Sequence, residues 1–265
     1  MPARDVVVHS LGEFIDLVTP SEPDLQTGRR RDYGVYRGAA DASAPLLSTL
    51  DRLGGDPHKK AGLEEHILRN FIRYSRAHLD AARPHNDWEV LVTAQHHGVP
   101  TRLLDWTYSP LVAAFFATRP AHGHDECDRA VWRLDWQRVH RQFDFPPLAL
   151  VVQDLESLAG GSKPFTPWQL FASRNGKSFA CMIEPPSLDA RIAAQASTFT
   201  LTSDTGQSFE AFLDSQSLRD TLTRYVIPAA EVTRVRDQLD LVGVDERRLF
   251  PDLDGVAAAI QRYYG

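Results

Sequence analysis

The stretch Gln95–Thr118 reads QHHGVPTRLLDWTYSPLVAAFFAT and is punctuated at both ends. Gly98 is a natural C′ residue, free to take the left-handed backbone that ends a helix, and Pro100 enforces the break. Ser109 supplies a capping oxygen for the next helix, and Pro110 fits its first position, where a missing N–H costs nothing. PLVAAFFAT is apolar almost all round, so this second helix is expected at the centre of the molecule, buried. Between the two helices VPTRLLDWTY is expected to turn the chain. Capping explains the punctuation but leaves Gln95, His96, Thr101, Arg102 and Asp105 unaccounted for.

Upstream, NDWEVLVTAQHHG is a helix with Asn86 as N-cap and Glu89 at the capping-box position. Trp88, Leu91, Val92 and Gln95 recur at i, i+3, i+4 and i+7, so Gln95 continues the apolar face and must find hydrogen-bond partners inside. His96 lies nearer that face than His97. GLEEHILRNFIRYSRAHLDAAR also has helical spacing, with Arg69, Arg73 and Arg76 on a side read as solvated. YGVYRG is a strand with Tyr33, Val35 and Arg37 on one face and Gly34 and Tyr36 on the other. If the Val35 face is buried, Arg37 points inward and needs a partner or an anion. At the start, DVVVHS is a short strand, and Ser10 with Glu13 opens the helix LGEFIDLV.

Downstream come strand-like runs: AVWRLDW near 130–136, FACMIEP near 179–185, TFTLTS near 198–203 and TLTRYVIP near 221–228. A helix, AAEVTRVRDQLDLVG, ends at Gly243; VDERRLFPDLDG reads as a loop and VAAAIQRYY as a final helix. Helices dominate the first half and strands the second. The expected class is α+β, with first-half helices packed on a mixed or antiparallel sheet.

The 265 residues suit one large domain or two small ones, and an apolar share of 43% with 24% charged residues can bury a real core. A net charge of −6 argues against a duplex-wide nucleic-acid footprint but leaves room for a local basic pocket. Lysine stands only at Lys59, Lys60, Lys163 and Lys177, so nearly all positive charge is arginine. The N-terminal MPARDVVVHS has no long apolar core of a leader, and the longest apolar run, LVAAFFA, is too short to span a bilayer. With only Cys127 and Cys181, a reducing cytoplasm is the expected compartment and a membrane is not an expected partner.

Phosphate-binding loops, GxGxxG, HExxH, GxSxG and any E-x-E pair are absent. HGHDEC groups His122, His124 and Cys127, but zinc takes four ligands at recurring spacings, so a polar surface loop is the preferred reading and no metal is expected. Arg102 and Asp105 can pair to pin their loop on the core, or Arg102 can meet an anionic ligand with Thr101 as a pocket wall. Arg191 and Gln195, four residues apart in SLDARIAAQASTFT, lie beside core elements, as a pocket assembled from distant segments requires.

Tyr36-Arg37-Gly38, followed by Gln95, His96, Gly98, Pro100, Thr101, Arg102, Leu103, Leu104, Asp105, Trp106, Thr107, Pro110, Ala113, Phe116 and Ala117, resembles the FRG domain family. AVWRLD, RIAAQASTFT and LFPDLDG extend the likeness over roughly residues 5–262, which implies one FRG-type domain over 1–265. The family pattern has a glycine at or near Ala196–Ser197, where this chain has none.

The resemblance by itself implies no reaction. The Tyr-Arg-Gly strand is in turn similar to the first strand of ADP-ribosylating toxins, whose arginine holds a phosphate or ribose of NAD. That likeness carries Arg37 over, and sets Ser48-Thr49 beside a short Ser-Thr motif. It implies NAD as cofactor and a protein or nucleic-acid acceptor, while the FRG resemblance implies a bacterial toxin or phage-defence setting. The E-x-E glutamate has no counterpart; Gln195 or Glu184 are the nearest stand-ins. A second reading is a module that binds a nucleotide or other phosphorylated ligand without turnover. A third is a hydrolase or nuclease using His96 with Asp105. The expected catalytic residues are His96, Asp105 and Gln195; the expected ligand-binding residues are Tyr36, Arg37, Gly38, Gln95, Thr101, Arg102 and Arg191.

Overall fold

The computed structural model of the chain describes residues 4–76, 78, 84, 86–120, 126–151, 154, 155, 167, 168, 170, 177–185 and 190–264. Its frame is an eight-stranded mixed sheet in the order β1-β8-β4-β2-β3-β7-β6-β5. The strands are β1 Arg4–Val7, β2 Val35–Ala39, β3 Leu104–Thr107, β4 Arg129–Leu134, β5 Leu150–Val151, β6 Ala180–Glu184, β7 Ser197–Thr202 and β8 Leu222–Ile227. β1 pairs parallel with β8 and β5 parallel with β6, and the other pairs are antiparallel.

The helices are α1 Leu11–Val18, α2 Thr49–Arg52, α3 Lys60–Ser75, α4 Asp87–His96, α5 Pro110–Thr118, α6 Trp136–Gln142, α7 Ala190–Ala194, α8 Phe209–Ser215, α9 Val232–Leu241, α10 Glu246–Leu249 and α11 Leu253–Tyr264. The caps read from sequence are in place. Ser10 Oγ accepts from the Glu13 amide, Asn86 Oδ1 from Glu89 and Ser109 Oγ from Val112. Gly98 and Gly243 sit at φ 77° and 75°, as helix-ending glycines do.

Two apolar clusters cover the sheet's two faces. Val35 belongs to one, with Trp88, Leu91, Trp106 and Trp132; Tyr36 belongs to the other, with Ala113, Phe115, Val131, Tyr225 and Leu239. Successive strand residues are therefore both buried, because both faces are covered. The helical and strand halves expected from sequence are in fact interleaved: β1 to β4 precede residue 135, and β1 lies beside β8 from the other end of the chain.

Two local expectations are corrected. Leu104–Thr107 is not a turn but β3, an interior strand between β2 and β7. Its Leu104 and Trp106 face the core while Asp105 is exposed, an alternation four residues long and too short to stand out against neighbouring helix signals. VDERRLFPDLDG holds the short helix α10, capped by Asp245, whose side chain accepts from the Arg248 amide. The His122–His124 stretch lies outside the described residues, and among the described residues no cluster of three metal-ligating side chains occurs. No described helix is long and apolar enough to cross a membrane.

Gly38 sets the distance between β2 and the buried helix. A Cβ added there would stand 2.1 Å from the Ala113 carbonyl oxygen and 2.4 Å from the Ala117 nitrogen. Only glycine lets α5 lie this close on the strand.

Candidate functional site

β2 and β3 pair at one position, Tyr36 opposite Thr107, and then part. A cavity of about 490 Å³ opens beside this parting, in the range of small-molecule sites. Tyr36, Arg37, Gly38, Gln95, His96, Asp105, Arg191 and Gln195 line it. Trp106, Phe116 and Phe199 supply aromatic wall, and Thr49 closes one side. Segments more than 150 residues apart in sequence thus meet in one hollow, as Arg37 and Arg191 show.

Arg37 reaches across the gap. Its Nη1 donates to the Asp105 main-chain carbonyl at 2.6 Å and to Asp105 Oδ2 at 3.4 Å. Among the described residues its Nε and Nη2 make no hydrogen bond, so one edge of the guanidinium fork is open. Burial pushes the Arg37 pKa below its ordinary value, the Asp105 carboxylate opposes this, and the nearby Arg52 cation pushes it further down. A positive charge already short of compensation is what an anionic ligand would relieve.

Asp105 is positioned in turn. Gln95 Nε2 donates to Asp105 Oδ1 at 2.9 Å, and Thr101 Oγ1 donates to Gln95 Oε1 at 2.6 Å. The hydroxyl sets the amide's direction: with Oε1 taken as acceptor, Nε2 must face the carboxylate. Thr101 is itself held by Thr49, whose Oγ1 accepts from the Thr101 amide at 3.1 Å. Thr101 is fully buried behind Gln95 rather than on the cavity, so its expected contact with a ligand is corrected to support of Gln95.

Arg102 is also turned away. It is 3% exposed, its amide and Nε donate to Glu64 at 2.7 and 2.6 Å, and its Nη1 donates to the Ser203 carbonyl at 2.8 Å. The expected Arg102–Asp105 pair does not form; each finds another partner, Glu64 and Arg37. Glu64 lies in the helix that sequence read mainly for its arginine stripe, and its complete burial could not be inferred from a polar residue between apolar ones.

Tyr36 points its hydroxyl at Asp32, which Arg133 also holds through Nε at 2.7 Å. Burial and the Asp32 carboxylate raise the Tyr36 phenol pKa far above its ordinary value, so it stays a neutral structural donor. Tyr36 and Gly38 both line the cavity, Tyr36 with its hydroxyl committed to Asp32 and Gly38 also setting the packing of α5.

Gln195 donates from Nε2 to the Leu249 carbonyl at 2.9 Å, and its own carbonyl accepts from Thr107 Oγ1 at 2.7 Å. Its Oε1 has no partner among the described residues. Ala196 next to it takes φ 46°, the left-handed backbone that the glycine of the family pattern would occupy without strain. His96 lines the cavity and His97 is exposed. No hydrogen bond joins Asp105 to His96, since Gln95 and Arg37 take the carboxylate. Glu184 accepts from the Tyr108 hydroxyl at 2.5 Å and does not line the cavity, which leaves Asp105 as the one carboxylate of its wall among the described residues. Ser48 caps α2 and is buried.

Sequence reasoning did not single out Ile192 and Phe199 as site residues, although both line the cavity; both lie in RIAAQASTFT, whose likeness to the family pattern was the signal that could have marked them.

Residues 32–126 match the family model of the FRG domain. This segment holds Arg37, Gln95, His96, Asp105 and α5, while Arg191 and Gln195 come from outside it. No curated protein and no solved structure matches the chain.

Proposed function

With residues 32–126 carrying an FRG domain, we propose that its cavity binds a nucleotide of the NAD class and that the chain is an ADP-ribosyltransferase-like enzyme. The observation that carries this reading is the open guanidinium edge of Arg37, fixed by Asp105 beside aromatic walls and a second arginine, Arg191. A guanidinium fork held by a carboxylate presents paired donors to a phosphate, and Trp106, Phe116 and Phe199 offer apolar surface to flat rings.

NAD brings the N-glycosidic bond whose cleavage releases nicotinamide. In this cavity Arg37 would hold phosphate. Asp105, half-exposed and aimed by Gln95, would orient a ribose hydroxyl and oppose positive charge developing on the sugar. Gln195 Oε1 is able to accept a hydrogen bond from a ligand but cannot ionise. His96, the last residue of α4, lines the same cavity.

The experiment is incubation of the purified chain with NAD, alone and with protein or nucleic-acid acceptors, while released nicotinamide is quantified. Release that disappears in Asp105→Asn supports transfer. Calorimetric binding without release supports the second reading, a nucleotide-binding module. One observation favours that alternative: both oxygens of Asp105 are already engaged, by Gln95 and Arg37. Failure of NAD, ADP-ribose and AMP all to bind would sink both.

A further inference from the structure

Phe250 carries two guanidinium groups over its ring. Arg119 Cζ stands 4.8 Å and Arg191 Cζ 4.9 Å from the ring centroid. Two cations are therefore gathered on one aromatic side chain. Among the described residues neither has a carboxylate or a hydrogen-bond partner. Several other arginines of this chain are paired with carboxylates, among them Arg133 with Asp32, Arg102 with Glu64 and Arg262 with Asp240. The buried acid Glu246 is already spent on Arg236, whose guanidinium lies over Phe115, the ring next to Phe250. Burial lowers the Arg236 pKa, the Glu246 and Asp240 carboxylates oppose this, and the Arg262 and Arg119 cations lower it further, so the Arg119 charge is felt in this region.

The cluster adjoins the cavity. Arg191 lines it; Phe116, another lining residue, packs edge-on against Phe250 with centroids 6.1 Å apart. Arg119 follows Phe116 by three positions at the end of α5. A guanidinium lying over an aromatic ring keeps its in-plane N–H groups for an oxyanion. Arg119 and Arg191 thus bring two such groups to one ring, and among the described residues no acid answers either.

We infer that Arg119, Phe250 and Arg191 form a second phosphate subsite, distinct from the Arg37–Asp105 centre, and that the preferred ligand is a nucleotide with two separated phosphates. A 2′-phosphorylated adenosine moiety has that chemistry, and an arginine near the ribose is how a dinucleotide site accommodates a 2′-phosphate. Within the NAD class the ligand is then the phosphorylated dinucleotide. This rests on the nucleotide reading of the cavity.

The test titrates the chain with adenosine 5′-monophosphate and adenosine 2′,5′-bisphosphate, and with NAD and NADP. The second phosphate is expected to tighten binding by about tenfold or more, as charge-assisted hydrogen bonds to an otherwise unpaired cation do. Arg119→Gln removes that advantage and leaves monophosphate binding unchanged; Arg119→Lys keeps part of it; thermal unfolding shows that both variants fold. Equal affinity for mono- and bisphosphate in the wild type overturns the inference while the nucleotide reading stands. So does an Arg119→Gln loss that is the same for both ligands. If neither binds, the nucleotide reading fails and the subsite falls with it.

Discussion

The guanidinium of Arg37 donates to the main-chain carbonyl of Asp105 at 2.6 Å, across the point where β2 and β3 stop pairing. A side chain thus satisfies a strand carbonyl where the ladder has ended, and the space beside it is the cavity. Arg37 has two duties there: one edge closes the sheet and the other faces the hollow. Replacement by lysine, a point donor, cannot serve both. Arg37→Lys is expected to weaken NAD binding about 10- to 100-fold, the scale of a lost bidentate contact. Calorimetry on folded protein measures it; unchanged affinity would remove Arg37 from the site.

Gly38 separates packing from binding. Its substitution by alanine drives a methyl into the backbone of α5, whose Ala113 oxygen would lie 2.1 Å away. Backbone cannot move aside as a side chain can, so Gly38→Ala should cost about 3 kcal/mol or more. The urea midpoint should fall with its slope unchanged. A variant as stable as wild type would show that α5 does not lie against β2 as described.

The buried pair Arg102–Glu64 holds α3 to the start of β3, with side chains 1% and 0% exposed. Glu64→Leu leaves an arginine charge without its carboxylate and should destabilise by about 3–5 kcal/mol. Glu64→Leu with Arg102→Met removes both charges and should recover a large part of the loss. A double-mutant cycle reads the coupling; additive losses would contradict it.

Ala196 takes φ 46° where a side chain is strained. Ala196→Gly should therefore stabilise by about 0.5–1 kcal/mol, the left-handed penalty of about 1–2 kcal/mol less the extra chain entropy of glycine. Thermal or urea unfolding decides the sign, and a clear loss would mean the turn is not left-handed.

His140 is neutral by geometry. Its Nε2 accepts from the Met182 amide at 2.6 Å, so the proton sits on Nδ1, which donates to the Pro146 carbonyl at 2.8 Å. Burial lowers its pKa below the ordinary 6.5, with the Pro146 carbonyl opposing. The unfolded chain then binds the proton more readily than the folded one, and stability falls as pH drops through about 6.5 toward the folded pKa. Urea titrations from pH 8 to 5 should show this step, and His140→Phe should lose it. A step that persists in the variant belongs to another group.

The residues that punctuate the chain were legible without a structure. Asn86, Gly98, Ser109 and Pro110 act through their own backbones and those of the next few residues, so local sequence determines them. Arg37, Gln95 and Asp105 could be singled out because polar groups near apolar runs must find partners. Which partners they find was decided by tertiary structure alone. Arg102 and Asp105 are three residues apart and of opposite charge, yet they bind Glu64 and Arg37 instead. β3 turns them differently: Arg102 lies just before the strand and is buried, whereas Asp105 sits on it and is half-exposed. The same holds for Arg119 and Arg191, joined by a ring at position 250 that no local pattern ties to either. Helix ends are set within one turn of chain. A cavity wall is set by strands whose order in the sheet has little to do with their order in the sequence.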